Sequence, residues 1–235
     1  MGNEIDIQAT AAVSPAISQE LLSTKKRFVV FLDIMGFKNR VARNEHDVIL
    51  KQLEAFQNDI STFVSQYQAA NIQVALFSDS ILLFSNNDTL ESLHQLADIT
   101  SKIMMSAIQQ QTPIPLKGAI ALGIVTCDTS KQLYFGQALI DAYLLEENIK
   151  YYGVLVHHTA EASVKQLGGD EFRDIKACLK GGEISHYELN WYNTNVLGDN
   201  QISIEACLDN LRLTVSDEPR RYVDNTLKIY GATSN

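Results

Sequence analysis

Two aspartates lie at positions where a binding site could use them. Asp33 ends the apolar run that begins at Phe28, and Asp79 lies between the apolar runs 72–77 and 80–84. The first pattern is typical of a buried strand that ends at a site, and the second of a hairpin with an acid at its tip. Neighbouring carboxylates repel each other, and a cation between them removes that cost. The pair therefore indicates a candidate site for Mg²⁺ or Mn²⁺, which prefer oxygen ligands.

The turn that follows Asp33 fits the same chemistry. Met35, Gly36 and Phe37 lead toward a helix, so their backbone N–H groups can point at phosphate oxygens. Two ions held by the acids would activate an attacking hydroxyl and hold a departing pyrophosphate. The residues alone leave a second interpretation open, because an aspartate at a strand end often caps a helix or closes a turn instead.

The elements around these acids mix hairpins with crossover helices. Apolar residues recur at helical spacing over about 41–68 and about 88–110, and the segment 201–231 is helical in pattern but interrupted at 216–219. The whole order predicts an α+β, ferredoxin-like domain with a mostly antiparallel central sheet flanked by helices. In such a sheet the first strand and the following hairpin are central neighbours, so the two carboxylates are expected to converge at one edge.

Composition limits the classes of function. The chain has 235 residues, of which 46% are hydrophobic and 20% charged, which suits one globular domain, or one domain with a small appendage. A net charge of −9 argues against binding of long nucleic acid but leaves a small anionic ligand possible. The three cysteines lack metal-finger spacing, and no segment has the pattern of a signal peptide or a membrane span. We therefore expect a soluble cytoplasmic protein that associates with neither nucleic acid nor membrane.

Five segments occur in an order that resembles a known family. They are two metal motifs, a following strand, a glycine-to-helix segment and a closing hairpin, at residues 31–37, 77–80, 116–123, 134–146 and 179–189 respectively. Together they are similar to the class III nucleotidyl cyclases and, within that family, to the bacterial pyrimidine cyclases of the Pycsar antiphage systems. The resemblance extends from about residue 28 to residue 191.

The resemblance implies a domain organisation and an assembly. A nucleotidyl cyclase domain is expected over 26–195, after a polar N-terminal tail at 1–25 and before a C-terminal helical extension at 196–235. In the family, the metal acids come from one subunit and the lysine of the closing hairpin from the other. The chain is therefore expected to form a head-to-tail homodimer with its active sites at the subunit interface.

The resemblance also implies roles for individual residues. Asp33 and Asp79, with the backbone carbonyl of Ile34, are expected to hold two Mg²⁺ or Mn²⁺ ions in each active site and to be the catalytic acids. The turn and the resemblance together give four expected contacts to the substrate phosphates: Gly36, Phe37, Lys117 and Lys180.

Departures from the family pattern narrow the expected substrate. The positions that carry a transition-state Asn and Arg in purine cyclases are Ile140 and Leu144 here, and neither side chain can donate a hydrogen bond. The positions that recognise a purine base align with Ala75 and Leu133. These substitutions favour UTP or CTP and a role in antiphage second-messenger synthesis. Two alternatives stay open: a catalytically silent nucleotide-binding or regulatory module, and an ATP or GTP cyclase with unusual base recognition.

Overall fold

The computed structural model describes residues 23–67, 72–128, 130–192 and 204–231. Most of the predicted N-terminal tail and the first part of the predicted C-terminal extension lie outside these residues. The first strand begins at Ser23, so the last residues of the expected tail belong to the sheet.

Eight strands form one sheet. Its main order is β2-β3-β1-β4-β6-β8-β7, and β5 pairs with β4 outside this path. Only β4 and β6 are parallel among the paired strands; every other pair is antiparallel. The strands are β1 (Ser23–Ile34), β2 (Ile72–Phe77), β3 (Ser80–Ser85), β4 (Leu116–Asp128), β5 (Leu133–Gly136), β6 (Val154–Val156), β7 (Phe172–Leu179) and β8 (Gly182–Leu189).

Seven helices accompany the sheet in the described residues. The predicted α+β architecture with a mostly antiparallel central sheet is confirmed. The helices are α1 (Phe37–Arg43), α2 (His46–Ser65), α3 (Leu90–Gln109), α4 (Gln137–Asn148), α5 (His158–Leu167), α6 (Ile204–Arg212) and α7 (Asp217–Gly231). None of them is both long and apolar enough to cross a membrane.

The helix expected over about 41–68 is two helices. Asn44 has an extended backbone between α1 and α2. Its side-chain amide donates a 2.7 Å hydrogen bond to the carbonyl of Arg40, which satisfies one of the carbonyls left open at the end of α1. The apolar periodicity continues across this break, so spacing alone did not reveal it.

Strand β1 is buried on both faces, and its residues alternate between two layers. Phe28, Val30 and Leu32 belong to the large core that includes α3. Val29 and Phe31 pack with the small residues of α4 on the opposite face. The alternation of side chains along a strand assigns Asp33 to the same face as Val29 and Phe31. The first acid therefore lies on the side of the sheet that α4 covers.

Close approach of β4 to β1 requires a glycine. Gly118 pairs with Leu32 in the antiparallel register. A Cβ atom at Gly118 would lie 2.4 Å from Leu32 Cδ2 and 2.4 Å from the carbonyl oxygen of Phe31. The next pair in this register is Asp33 and Lys117, so the first acid lies directly beside this close contact.

Candidate functional site

The structure brings the backbones of the two predicted acids together. Asp33 lies opposite Ser80 in the β1–β3 register, and Asp79 occupies the turn that precedes Ser80. The N–H of Ile34 donates a 2.8 Å hydrogen bond to the carbonyl oxygen of Asp79. The expected convergence of the strand end and the hairpin tip is confirmed.

The electrostatic environment of Asp33 disfavours an isolated negative charge. Burial raises the pKa of Asp33 to about 7, with the charges of Glu146 and Asp79 acting in the same direction and the charge of Lys117 opposing them. A carboxylate in such surroundings stays ionised at neutral pH when a cation compensates it. A cation held beside Asp33 would lower this pKa again.

The donor set fits a cation that shares its ligands with a substrate. In the described parts of the chain, no cluster of three or more His, Cys, Asp or Glu side chains is arranged to hold a metal. Mg²⁺ is usually bound through one or two carboxylates, water and substrate phosphates rather than through a full protein cage. Asp33, Asp79 and the carbonyl of Ile34 match that kind of partial site, and not a closed structural one.

The turn between β1 and α1 leaves room for a ligand at one residue. Gly36 has φ of 72° and ψ of 13°, the left-handed conformation that glycine adopts readily. No atom lies within 4 Å of the position that its Cβ would occupy. The N–H of Met35 donates to the carbonyl of Pro115 at 2.9 Å, so the expected phosphate contacts of this turn reduce to Gly36 and Phe37.

Lys117 is buried in an ion pair, whereas its predicted role requires its ammonium to reach a substrate phosphate. Lys117 is only 6% exposed. Its ammonium nitrogen lies 2.6 Å from Oε1 of Glu146 and donates to the backbone carbonyl of Glu146 at 3.0 Å. A contact from Lys117 to a phosphate would require it to leave this partner, so that role stays a prediction.

Glu146 is a site residue that the sequence analysis missed. It is 3% exposed and lies on α4 below Ala138 and Ala142, which are also fully buried. Spacing of four residues places these three side chains on one face of the helix. The sequence did contain a signal, because two alanines and a glutamate follow one another on the helix face that is buried. A charged side chain on a buried face needs a partner in the interior.

Lys180 lies at the tip of the β7–β8 hairpin and is exposed to solvent. Its N–H donates to the carbonyl of Asn148 at 2.8 Å, which ties the hairpin to the end of α4. The charge of Lys180 also acts on Glu146 within the same chain, where it opposes the burial that raises the pKa of Glu146. The expected contribution of Lys180 to the site of a second subunit stays a prediction.

The outward face of α4 is apolar. Ile140 and Leu144, which replace the expected transition-state donors, are 50% and 51% exposed, and Tyr143 between them is 42% exposed. Tyr143 also packs edge-on against Phe31, with ring centroids 5.4 Å apart. The helix thus exposes apolar side chains and buries a carboxylate, the reverse of an ordinary surface helix.

A groove of about 1040 Å³ runs along the β2–β3 hairpin toward β5. Ala75 and Leu133, the positions aligned with purine recognition, both line it, together with Phe31 and Tyr134. The described residues that line the groove include glutamines and serines but no charged side chain.

Comparison with known proteins supports the fold. No protein-family model matches the chain, and no curated protein matches it. Solved structures do. The guanylate cyclase domain of RhGC from Catenaria anguillulae in complex with GTP aligns with a TM-score of 0.57 and 14% identity, covering 71% of this chain and 97% of that one.

Two bacterial structures give the same result. The adenylyl cyclase CyaB from P. aeruginosa aligns with a TM-score of 0.54 and 18% identity, over 77% of this chain and 97% of that one. An adenylate/guanylate cyclase/hydrolase from Silicibacter pomeroyi aligns with a TM-score of 0.51 and 19% identity, over 72% of this chain and 98% of that one. The TM-scores show a shared fold. Because the sequence identities are low, function must be argued from the site. The chain has the α+β fold of the class III nucleotidyl cyclase catalytic domains.

Proposed function

We propose that this protein is a nucleotidyl cyclase that converts UTP or CTP into the 3′,5′-cyclic monophosphate and pyrophosphate. The observation that carries the proposal is the junction of Asp33 and Asp79 through the 2.8 Å hydrogen bond from Ile34 N to the Asp79 carbonyl, within a cyclase fold. In the reaction, the 3′ oxygen of the substrate forms a bond to the α-phosphorus as the bond from that phosphorus to the pyrophosphate oxygen breaks. The hydroxyl proton is lost to solvent.

The residues present fit two Mg²⁺ or Mn²⁺ ions. Asp33, Asp79 and the carbonyl of Ile34 would hold the ions, which would supply charge to lower the pKa of the attacking hydroxyl and to stabilise the departing pyrophosphate. The chain itself orients the triphosphate. Backbone N–H groups of Gly36 and Phe37 bind phosphate oxygens at the open turn, and the ammonium of the partner subunit's Lys180 neutralises a further part of their charge.

The groove supports a pyrimidine substrate. A purine site of the familiar kind needs a charged or strongly polar pair, and Ala75 and Leu133 offer neither. A smaller base can be held there by stacking on Tyr134 or Phe31 and by the amide of Gln132. The product would be cyclic UMP or cyclic CMP, and we extend the proposal to a second-messenger role in antiphage defence.

A second copy of the chain would complete the site. Exposed apolar side chains occur at the tip of the β2–β3 hairpin and on α4: Phe77 is 80% exposed, Ile140 50% and Leu144 51%. Apolar surface of this kind marks an interaction site. In a head-to-tail homodimer the partner would cover this surface and bring its own Lys180 to the acids.

One substrate screen tests the proposal. The purified protein is incubated with ATP, GTP, CTP and UTP in turn, with Mn²⁺, and the products are identified by mass spectrometry. We expect a cyclic pyrimidine nucleotide and pyrophosphate, and no product from the Asp79→Ala variant. A cyclic purine product would identify a purine cyclase, and no product from any triphosphate would favour a silent binding module.

Mixing inactive variants tests the dimer. Asp33→Ala and Lys180→Ala, each inactive alone, should regain activity when mixed, because one of the two shared sites then contains only wild-type residues. Failure of the mixture, with both variants dimeric by light scattering, would contradict the head-to-tail arrangement.

A further inference from the structure

Glu146 is a buried carboxylate for which the proposed reaction has no direct use. It continues the inward stripe of α4 formed by Ala138 and Ala142. These alanines pack in the core layer that contains Val29 and Ala121, partners of each other in the β1–β4 register. Four residues beyond Ala142 on the same face of α4, Glu146 forms an ion pair with Lys117, the partner of Asp33 in that register.

The Lys117–Glu146 pair is enclosed. The two side chains are 8% and 4% exposed, and the ammonium also donates to the backbone of Glu146. Apolar residues in place of a buried ion pair are often as stable or more stable, so the pair is weak evidence for a role in stability alone. Its location beside Asp33, next to a layer that is otherwise apolar, calls for a role at the site.

The two members of the pair act on Asp33 with opposite sign. The negative charge of Glu146 and the positive charge of Lys117 both reach the Asp33 carboxylate. Groups that contact the ligands of a metal commonly tune its affinity by about 10- to 100-fold. A change in either member of the pair would therefore alter the electrostatic environment of Asp33.

We propose that Glu146 is a positioning residue that holds the Lys117 ammonium behind Asp33 and thereby sets the cation affinity of the Asp33–Asp79 site. In this arrangement Lys117 acts on the acids and makes no contact with the substrate phosphates. The inference deepens the proposed function and rests on it.

Mn²⁺ binding in the presence of 3′-deoxy-UTP, which lacks the attacking hydroxyl, tests this inference without turnover. Electron paramagnetic resonance of free Mn²⁺ gives the dissociation constant. Glu146→Gln leaves the Lys117 charge uncompensated beside Asp33, so the constant should rise about tenfold. Lys117→Met removes the positive charge and should leave the constant unchanged or lower it.

The double variant Glu146→Leu with Lys117→Met separates charge from packing. It removes one charge of each sign, so Mn²⁺ affinity should return to the wild-type value. Equal weakening in both single variants, in proportion to their loss of thermal stability, would overturn the proposal, as would unchanged binding in Glu146→Gln.

Two controls distinguish this inference from the proposed function. If Asp33→Ala binds Mn²⁺ as the wild type does, the metal site is elsewhere and the proposed function fails with it. If binding depends on Asp33 but not on Glu146, the inference alone fails. A large rise in the KM for the triphosphate in Lys117→Met, at unchanged Mn²⁺ affinity, would show a phosphate contact and also overturn the positioning role.

Discussion

Two enclosed ion pairs of the described residues have different surroundings. Lys117 and Glu146 meet below Asp33, on the α4 face. Arg173 and Glu188 meet between β7 and β8, where Nε and Nη2 of Arg173 donate to Glu188 Oε2 at 3.0 and 2.7 Å. Both pairs are largely enclosed, but of the two only the first adjoins a candidate ligand site.

Aromatic rings surround the second pair. The Arg173 guanidinium lies 4.6 Å from the ring centre of Tyr192 and 5.5 Å from that of Tyr230. Tyr230 belongs to α7, and its hydroxyl donates to the carbonyl of Tyr152 at 3.0 Å. This pair contacts the C-terminal helix, whereas the first one adjoins Asp33, whose pKa is raised by burial. Burial alone does not decide what an ion pair does.

Removal of α6 and α7 should have the largest effect on stability. A chain that ends at residue 200 loses the packing of Tyr222, Val223 and Tyr230, each 5% exposed or less. Burial of each such side chain stabilises a protein by about 1.5–3 kcal/mol. The net free energy of unfolding of a whole domain is only about 5–15 kcal/mol. We expect no cooperative thermal transition in circular dichroism.

A truncated chain that unfolds cooperatively near the wild-type Tm would contradict this prediction. It would also show that the domain expected over 26–195 folds without the helices that follow it.

Breaking the Arg173–Glu188 pair should have the next largest effect on stability. Arg173→Met leaves Glu188, which is fully buried, without its cation. Loss of one partner of a buried pair costs about 3–5 kcal/mol of unfolding free energy. Urea denaturation should show this loss, and Mn²⁺ affinity of the folded variant should not change. Weaker Mn²⁺ binding in Arg173→Met would remove the contrast between the two pairs.

The stability of both regions should depend on pH, and added Mn²⁺ should then distinguish them. Burial raises the pKa of Asp33 and that of Glu188 each to about 7. A carboxyl whose pKa is higher in the folded state than in the unfolded state binds its proton more tightly in the folded protein. Its contribution to the free energy of unfolding is therefore complete below about pH 4, and it is lost as the pH rises toward 7. The metal-free protein should lose stability over that window.

For Asp33 the loss is about 1–2 kcal/mol once solvent screening is included. Mn²⁺ added at pH 7.5 should recover the Asp33 part in the wild type and not in Asp33→Asn, as thermal melts would record. Recovery of equal size in the variant would show that the ion acts elsewhere.

The smallest effect is expected from the exposed ion pair between Lys228 of α7 and Glu183 of the closing hairpin, whose side chains are 62% and 44% exposed. Exposed pairs contribute about 0–1 kcal/mol. Lys228→Ala should therefore shift the Tm by a few degrees at most and leave turnover unchanged. A large loss of turnover would show that α7 controls the hairpin that carries Lys180.

Much of the fold could be predicted because the signals are local. The apolar run before Asp33, the hairpin around Asp79 and the start of α3 each depend on adjacent residues. Thr89 accepts a hydrogen bond from the Ser92 N–H at 3.3 Å and caps the start of α3. The break at Asn44 was missed because a side-chain cap interrupts the helix without interrupting its apolar period.

The neighbours of the acids could not be predicted in the same way. Lys117 and Glu146 are far apart in sequence and meet only because α4 crosses β4 on the face that carries Asp33. Motif resemblance assigned Lys117 to the phosphates, since a motif specifies residue type and order but not burial. The packing of α7 on Tyr152 and Arg173 is likewise a long-range contact that no local pattern encodes.

The central claim is tested most directly by the rate of cyclic nucleotide formation as a function of Mn²⁺ concentration. The wild type and Asp209→Ala, a control in an exposed aspartate of α6, should form cyclic UMP or cyclic CMP at similar, Mn²⁺-dependent rates. Asp33→Ala and Asp79→Ala, folded by circular dichroism, should be slower by more than about a hundredfold. Undiminished turnover in either acid variant, or no cyclic product from the wild type, would contradict the account.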